Sequence, residues 1–151
     1  MTNHGKDKVK REYPDAPLVG VGAVVIKNGK ILLIKRAFPP GEGKWSIPGG
    51  LVEVGEKLSA AAEREAEEET GVKVQVLELI NVFDMIDHDK DGKVQYHYVL
   101  SEFLAKPVGG KEAPSEEVTE MKWVLWDEAK GMDLTNTARK ALEELFGSAF
   151  G

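Results

Sequence analysis

The chain has 151 residues, 42% of them hydrophobic and 30% charged, which fits one ordinary domain with one core and excludes global disorder. Twenty Lys and Arg stand against 26 Asp and Glu, a formal charge of −6, so general binding to nucleic-acid backbones is excluded as a default. There is no Cys, which removes disulfides, thiolate metal sites and cysteine nucleophiles.

Residues 1–17 are polar and mixed in charge, without the apolar core of a signal peptide, and are expected to form a mobile segment ahead of one domain over 18–151. The longest apolar run, 19–26, is too short for a bilayer span, so a cytoplasmic protein with no membrane partner is expected. That run reads as a buried strand. Asn28 and Gly29 separate it from Ile31, Leu32, Leu33 and Ile34, and an Asn-Gly pair between apolar runs predicts a two-residue hairpin turn. Pro39, Pro40 and Gly41 set a loop, and residues 45–47 form a short strand ended by Pro48, Gly49 and Gly50. Residues 58–70 are rich in Ala and Glu and predict a helix, with Gly71 at its C-terminal cap. Strands follow at 72–82, 94–104 and 121–126. A closing helix spans 136–146, with Thr135 as its N-cap. Mixed strands and helices with local hairpins predict an α/β fold with helices on the faces of a mixed sheet.

Winding 58–70 at about 100° per residue places Leu58, Ala61 and Ala62 on the core side. Glu65 and Glu69 share that side, Glu68 lies at its edge, and Glu63 and Glu67 point to water. Carboxylates at these spacings repel one another, and a partly buried charge needs a partner. Arg64 is one partner; a hard divalent cation, which takes oxygen ligands, is the other. Either answer stays open on spacing alone. Such a cation would also let an acidic protein hold an anionic substrate.

Gly50, Glu56 and the run Arg64, Glu65, Ala66, Glu67, Glu68, Glu69, Thr70, Gly71, Val72 together resemble the Nudix box, with every defining position filled. Weaker similarity extends over 18–144. The resemblance implies an α/β/α sandwich around a mixed sheet. It implies Mg²⁺- or Mn²⁺-dependent hydrolysis of a nucleoside diphosphate linked to another group, with two or three ions present alongside substrate. It further implies metal binding by Glu65, Glu68, Glu69 and the Gly49 carbonyl, with one of the acids positioning or deprotonating water. Glu56 and Arg64 would pair to orient those acids. Relatives recruit a further acid from a late loop, for which Glu117 is the first choice and Glu116 the second. The partner implied is a small-molecule nucleotide, and dimerisation is common among similar proteins.

The Phe38-Pro39-Pro40-Gly41 loop ahead of Trp45 is similar to small ADP-ribose pyrophosphatases, so ADP-ribose is the expected substrate. Several of those enzymes carry a Pro where Asp87 and His88 stand here. A nucleoside triphosphate pyrophosphohydrolase is the alternative, and a non-catalytic nucleotide sensor a further one, disfavoured by the intact box. For substrate contacts, Arg36 is expected to reach a phosphate, and Trp45 and Tyr96 to stack on a base or ribose. Residues 87–92 resemble the start of a calcium loop, but Tyr98 stands where a bidentate Glu belongs, so a polar turn is expected.

Overall fold

The computed structural model describes residues 9–147. Strand β1 (Leu18–Lys27) turns at Asn28 and Gly29, both at positive φ (53° and 77°), into β2 (Lys30–Arg36), so the expected tight hairpin is present. Two short strands follow, β3 (Trp45–Ser46) and β4 (Gly49–Leu51), then helix α1 (Leu58–Thr70). Strands β5 (Val72–His88) and β6 (Val94–Gly110) form a hairpin much longer than the apolar pattern predicts. Strand β7 (Val118–Val124), a short α2 (Trp126–Ala129) and α3 (Asn136–Leu142) complete the order, α3 running into a π-helical turn, Glu143–Gly147. The Thr135 side chain accepts from Ala138 N and caps α3 as expected. No helix among the described residues is long and apolar enough to cross a membrane.

The sheet is mixed. Its order is β3-β2-β1-β6-β5, with β4 beside β1 and β7 beside β2. β1 runs parallel to β6 from Leu18 opposite Tyr98 to Val25 opposite Ala105, and the remaining pairs between strands are antiparallel. β1 is buried on both faces, as its unbroken apolar run requires. Val21, Ala23 and Val25 pack on the side that α1 covers, with Ala61, Ala62 and Ala66; Val24 packs on the other, with Leu134, Ala138 and Ala141 of the α3 region. The result is the expected α/β/α sandwich. The three alanines are fully buried and let the backbone of α1 lie close to the sheet. Gly71 ends α1 in the left-handed conformation, its N–H donating to Glu67 O, and a Cβ there would overlap the Lys111 carbonyl.

Two helix assignments need correction. Leu58 is exposed rather than core-facing, because it begins the first turn of α1, ahead of the buried stripe. Glu63 is half-buried and does not point to water: its Oε2 accepts from Val76 N at 2.8 Å, beside a bulge between Val76 and Glu78 where the β5–β6 ladder shifts register.

Of the segment expected to be mobile, residues 1–8 lie outside the described residues. Tyr13 N donates to Gln95 O at 2.7 Å, and Tyr13 Oη donates to Asp89 Oδ2 at 2.7 Å. Asp89 Oδ1 accepts from the backbone N–H groups of Asp91 and Lys93, closing the turn between β5 and β6. These donors, Tyr13 first, hold the Asp89 carboxyl below its usual range. The calcium-like run is therefore a polar turn whose central carboxylate is engaged by the chain itself, and Tyr98 is buried inside β6.

Glu63→Ala should cost about 1–3 kcal/mol of stability by leaving Val76 N without its acceptor, while kcat/KM stays within a few-fold of wild type. Urea denaturation and steady-state kinetics on one preparation check both halves.

Candidate active site

The site starts from a close approach. β4 pairs with β1, Gly50 opposite Val21 and Gly49 opposite Gly22, so two glycines form an outer strand against which α1 can press. A Cβ on Gly50 would overlap the Glu65 carboxyl, and one on Gly49 would overlap the Val21 carbonyl. The glycines thus make room for acids that would otherwise be expelled. Glu65 is 1% exposed and Glu69 5%, both on the buried stripe as expected, with Glu68 half-buried at its edge. Glu69 Oε1 accepts from Gly49 N at 2.9 Å.

Arg64 joins these acids to the loop. Glu56 takes the guanidinium bidentately, from Nε at 2.6 Å and Nη2 at 2.9 Å, and Nη2 also donates to Leu51 O at 2.9 Å. The remaining nitrogen, Nη1, donates to Glu65 Oε2 at 3.0 Å and reaches both Glu68 oxygens at 3.2 Å. The Glu56 hydrogen bonds hold the Arg64 pKa above its ordinary value, with Glu68 adding to the effect. Glu56 Oε1 in turn accepts from Glu53 N at 3.0 Å, fixing the turn before the helix. Catalytic candidates Glu56, Arg64, Glu65 and Glu68 are therefore one hydrogen-bonded cluster, with Gly49 and Glu69 beside it.

The loop after β6 closes the end of this cluster. Ala113 N donates to Thr70 O at 2.8 Å and Ser115 N to Glu69 O at 3.0 Å. Glu117, half-buried, follows two residues on, its N–H on Ser115 Oγ and its carbonyl accepting from Ala37 N. Glu116 is exposed, Glu112 accepts from Trp123 Nε1 at 2.9 Å, and Glu120 pairs with Lys35 at 3.5 Å.

A cavity of about 310 Å³ lies over the sheet and reaches Gly49 and Gly50. Gly20 and Gly22 of β1 contribute to its floor together with Tyr98, Leu100 and Glu102 of β6. Met85 and Asp87 of β5 extend it, and Arg11, Arg36 and Lys44 bring positive charge to it. Arg36 lines the cavity, its Nε donating to Pro40 O at 2.6 Å, while Lys35 leaves the strand on the other side.

Trp45 and Tyr96 are not among the residues that line this cavity. Trp45 is 9% exposed and packs in the core beneath α3, with the ammonium groups of Lys35 and Lys122 over its ring at 5.9 and 5.5 Å. Tyr96 sits farther out along the hairpin, opposite Asp87, and the ring that reaches the cavity is Tyr98. Alternation put both tyrosines on one face, but the residue distance along β6 decides which one meets the glycine floor.

Arg11, Lys44 and Glu102 line the cavity without having been singled out from the sequence. Arg11 comes from the N-terminal segment and offers no pattern. Glu102 is a lone acid inside the apolar stretch of β6, a mismatch that marks a buried polar group. It is 3% exposed, its Oε2 has no hydrogen-bond partner among the described residues, and burial pushes its pKa up to about 8.

For metal, the test is the donor set. Glu65, Glu68 and Glu69 offer hard oxygens of the kind Mg²⁺ and Mn²⁺ prefer. Among the described residues no three acidic or imidazole side chains enclose one point as they stand, since Glu65 and Glu68 are turned onto Arg64 Nη1. The chemistry of the donors fits a divalent ion.

The sequence model of the NUDIX domain matches residues 16–145. An ADP-ribose pyrophosphatase of Methanocaldococcus jannaschii is 34% identical over 127 residues, covering 84% of this chain and 68% of that one. A MutT-like protein of Streptomyces ambofaciens is 34% identical over 141 residues, covering 91% and 84%. Among solved structures, a MutT NUDIX hydrolase from Burkholderia pseudomallei superposes with a TM-score of 0.74 at 35% identity, covering 87% of this chain and 99% of that one.

Because the folded Glu102 stays neutral up to about pH 8 while the unfolded one ionises near the ordinary Glu value, its contribution to stability is present at low pH and is lost as pH rises toward 8. The stability advantage of Glu102→Gln over wild type should therefore grow between about pH 5 and 8, by on the order of a few kcal/mol, and then level. Urea titrations of the metal-free proteins across that range would show it; a pH-independent difference would mean the acid is not held neutral.

Proposed function

The chain belongs to the Nudix family and is one of its pyrophosphohydrolases, and from that premise we propose that it hydrolyses the pyrophosphate bond of ADP-ribose, giving AMP and ribose 5-phosphate. The observation that carries this reading is the gathering of Glu65, Glu68 and Glu69 on the face of α1 that presses on Gly49 and Gly50, where the cavity ends. A dinucleotide-like substrate laid from the cavity across those glycines would bring its phosphate bridge to the acids. The choice of ADP-ribose is supported by the archaeal relative and by the loop around Phe38-Pro39-Pro40-Gly41.

Glu65, Glu68, Glu69 and the Gly49 carbonyl would hold Mg²⁺ or Mn²⁺, two or three ions with substrate, and Glu117, in the loop that closes the cluster, would add a carboxylate. When bound, such ions offset charge on the phosphate oxygens and lower the pKa of water. Glu56 keeps Arg64 on the Leu51 carbonyl, so the loop and α1 stay locked while Glu65 and Glu68 turn toward substrate. Glu68, at the edge of the buried stripe, is the acid with room to accept a proton from the attacking water. That water forms a new bond to phosphorus, the bridging P–O bond breaks, and the leaving phosphate departs as ribose 5-phosphate or AMP. Arg36 would steady a phosphate from the cavity side.

The second reading, splitting a nucleoside triphosphate to the monophosphate and pyrophosphate, is favoured by the MutT-like relative, which aligns over more of its own length. A panel of ADP-ribose and nucleoside triphosphates with Mg²⁺, Mn²⁺ and a chelator separates the two by product. Chelation should abolish turnover and Mg²⁺ should restore it. Glu68→Gln should lower kcat by about 10²–10⁴-fold with melting temperature little changed; near-normal kcat would take Glu68 out of the mechanism.

A further inference from the structure

Gly20 and Gly22 leave the β1 part of the cavity floor without side chains, and their register partners on β6, Leu100 and Glu102, lean across the gap. A Cβ on Gly22 would overlap Glu102 Oε2, with Ile47 Cδ1 only 3.0 Å away, so the carboxyl fills space that any larger residue at 22 would claim. An acid buried so completely, with an oxygen that nothing among the described residues satisfies, is a cost without return unless a ligand completes it.

We propose that Glu102 is a specificity-determining residue that hydrogen-bonds the heteroaromatic edge of the substrate's nucleobase, the ring lying in the cavity against Leu100. This rests on the nucleotide pyrophosphohydrolase reading above. A phosphate is the wrong partner for a carboxyl, and the cations that suit one, Arg11, Arg36 and Lys44, are lining residues from other segments. A planar ring suits the apolar surface that Leu100, Met85 and Tyr98 offer to the cavity. A carboxylic acid offers one donor and one acceptor side by side. That pair complements a ring nitrogen beside an exocyclic amine, or a ring N–H beside a carbonyl. The terminal torsion of a Glu side chain is broad, so either oxygen can be turned to the ring.

The test is calorimetric binding of AMP, CMP, GMP, UMP and base-free ribose 5-phosphate to the metal-free full chain, for wild type, Glu102→Leu and Glu102→Gln. Leu keeps the volume and removes an unsatisfied buried oxygen, so the fold survives; Gln keeps a neutral donor and acceptor. Leu should weaken the best-bound monophosphate about tenfold, Gln should stay within about threefold of wild type, and ribose 5-phosphate should bind all three equally. In steady state Leu should raise KM for the nucleotide substrate and leave kcat nearly unchanged. Equal binding of the monophosphate by wild type and Leu overturns the proposal. So does a parallel loss for ribose 5-phosphate, or a wild type that binds no monophosphate better than the base-free sugar. Absence of turnover by wild type across the nucleotide panel is a separate result, which sinks the catalytic reading instead.

Discussion

The bidentate bond between Arg64 and Glu56 is the contact around which the site is organised. Its third strong hydrogen bond, to Leu51 O, ties the glycine strand to the helix, so three elements far apart in function share one guanidinium. Lys could not do this: a point charge cannot satisfy a carboxylate and a carbonyl in one plane while leaving Nη1 over two further acids. Glu65 and Glu68 meet Arg64 at Nη1, the nitrogen that bonds neither Glu56 nor Leu51, so on the proposed reading they can exchange that contact for others without loosening the loop.

Strand β4 makes the division of the site possible. It is three residues long, two of them glycine, and it separates the acids of α1 from the cavity by little more than the thickness of a backbone. Three buried alanines bring α1 down onto the sheet, and Gly71 turns the chain sharply into β5. Small residues at six places thus decide how near the acids lie to the cavity. A side chain at Gly49 or Gly50 would push the helix away rather than merely crowd a pocket, which is why the glycine strand and the acidic helix have to be read as one unit.

The parts of this arrangement legible in the sequence were those set by local rules. Asn28 and Gly29 demand a positive-φ turn, Gly71 demands a left-handed cap, Thr135 offers a capping hydroxyl, and the helical period puts Glu65 and Glu69 with the alanines. What escaped was set by partners distant in the chain. Gly49 and Gly50 read as a terminator because nothing local announces that Val21 and Gly22 will pair with them. Glu63 read as solvated because its acceptor role depends on a bulge in β5. Trp45 read as a ring that could stack on a base or ribose, yet its neighbours turn out to be Leu134 and Ala138 from the far end of the chain. The ends of β5 and β6 ran past their apolar pattern because strands exposed on one side continue through polar residues.

Glutamate thus appears twice near one backbone ridge in opposite environments. On the α1 side, Glu65 and Glu69 accept hydrogen bonds from Arg64 and from Gly49 N–H, donors that suit a carboxylate. On the sheet side, Glu102 has burial and no such donor, and burial alone favours the neutral acid. The separation follows from geometry rather than from sequence distance. Gly22 lies between Gly49 on one flank and Glu102 on the other, and a side chain at 22 would disturb the Glu102 carboxyl. A charged set suited to cations and phosphate, and a neutral one suited to a polar ring edge, can then sit side by side without cancelling each other, because the backbone of β1 and β4 separates them and neither can reach across to neutralise the other. An extended nucleotide, anionic at its bridge and neutral at its base, is the kind of molecule whose polarity changes over the same short distance.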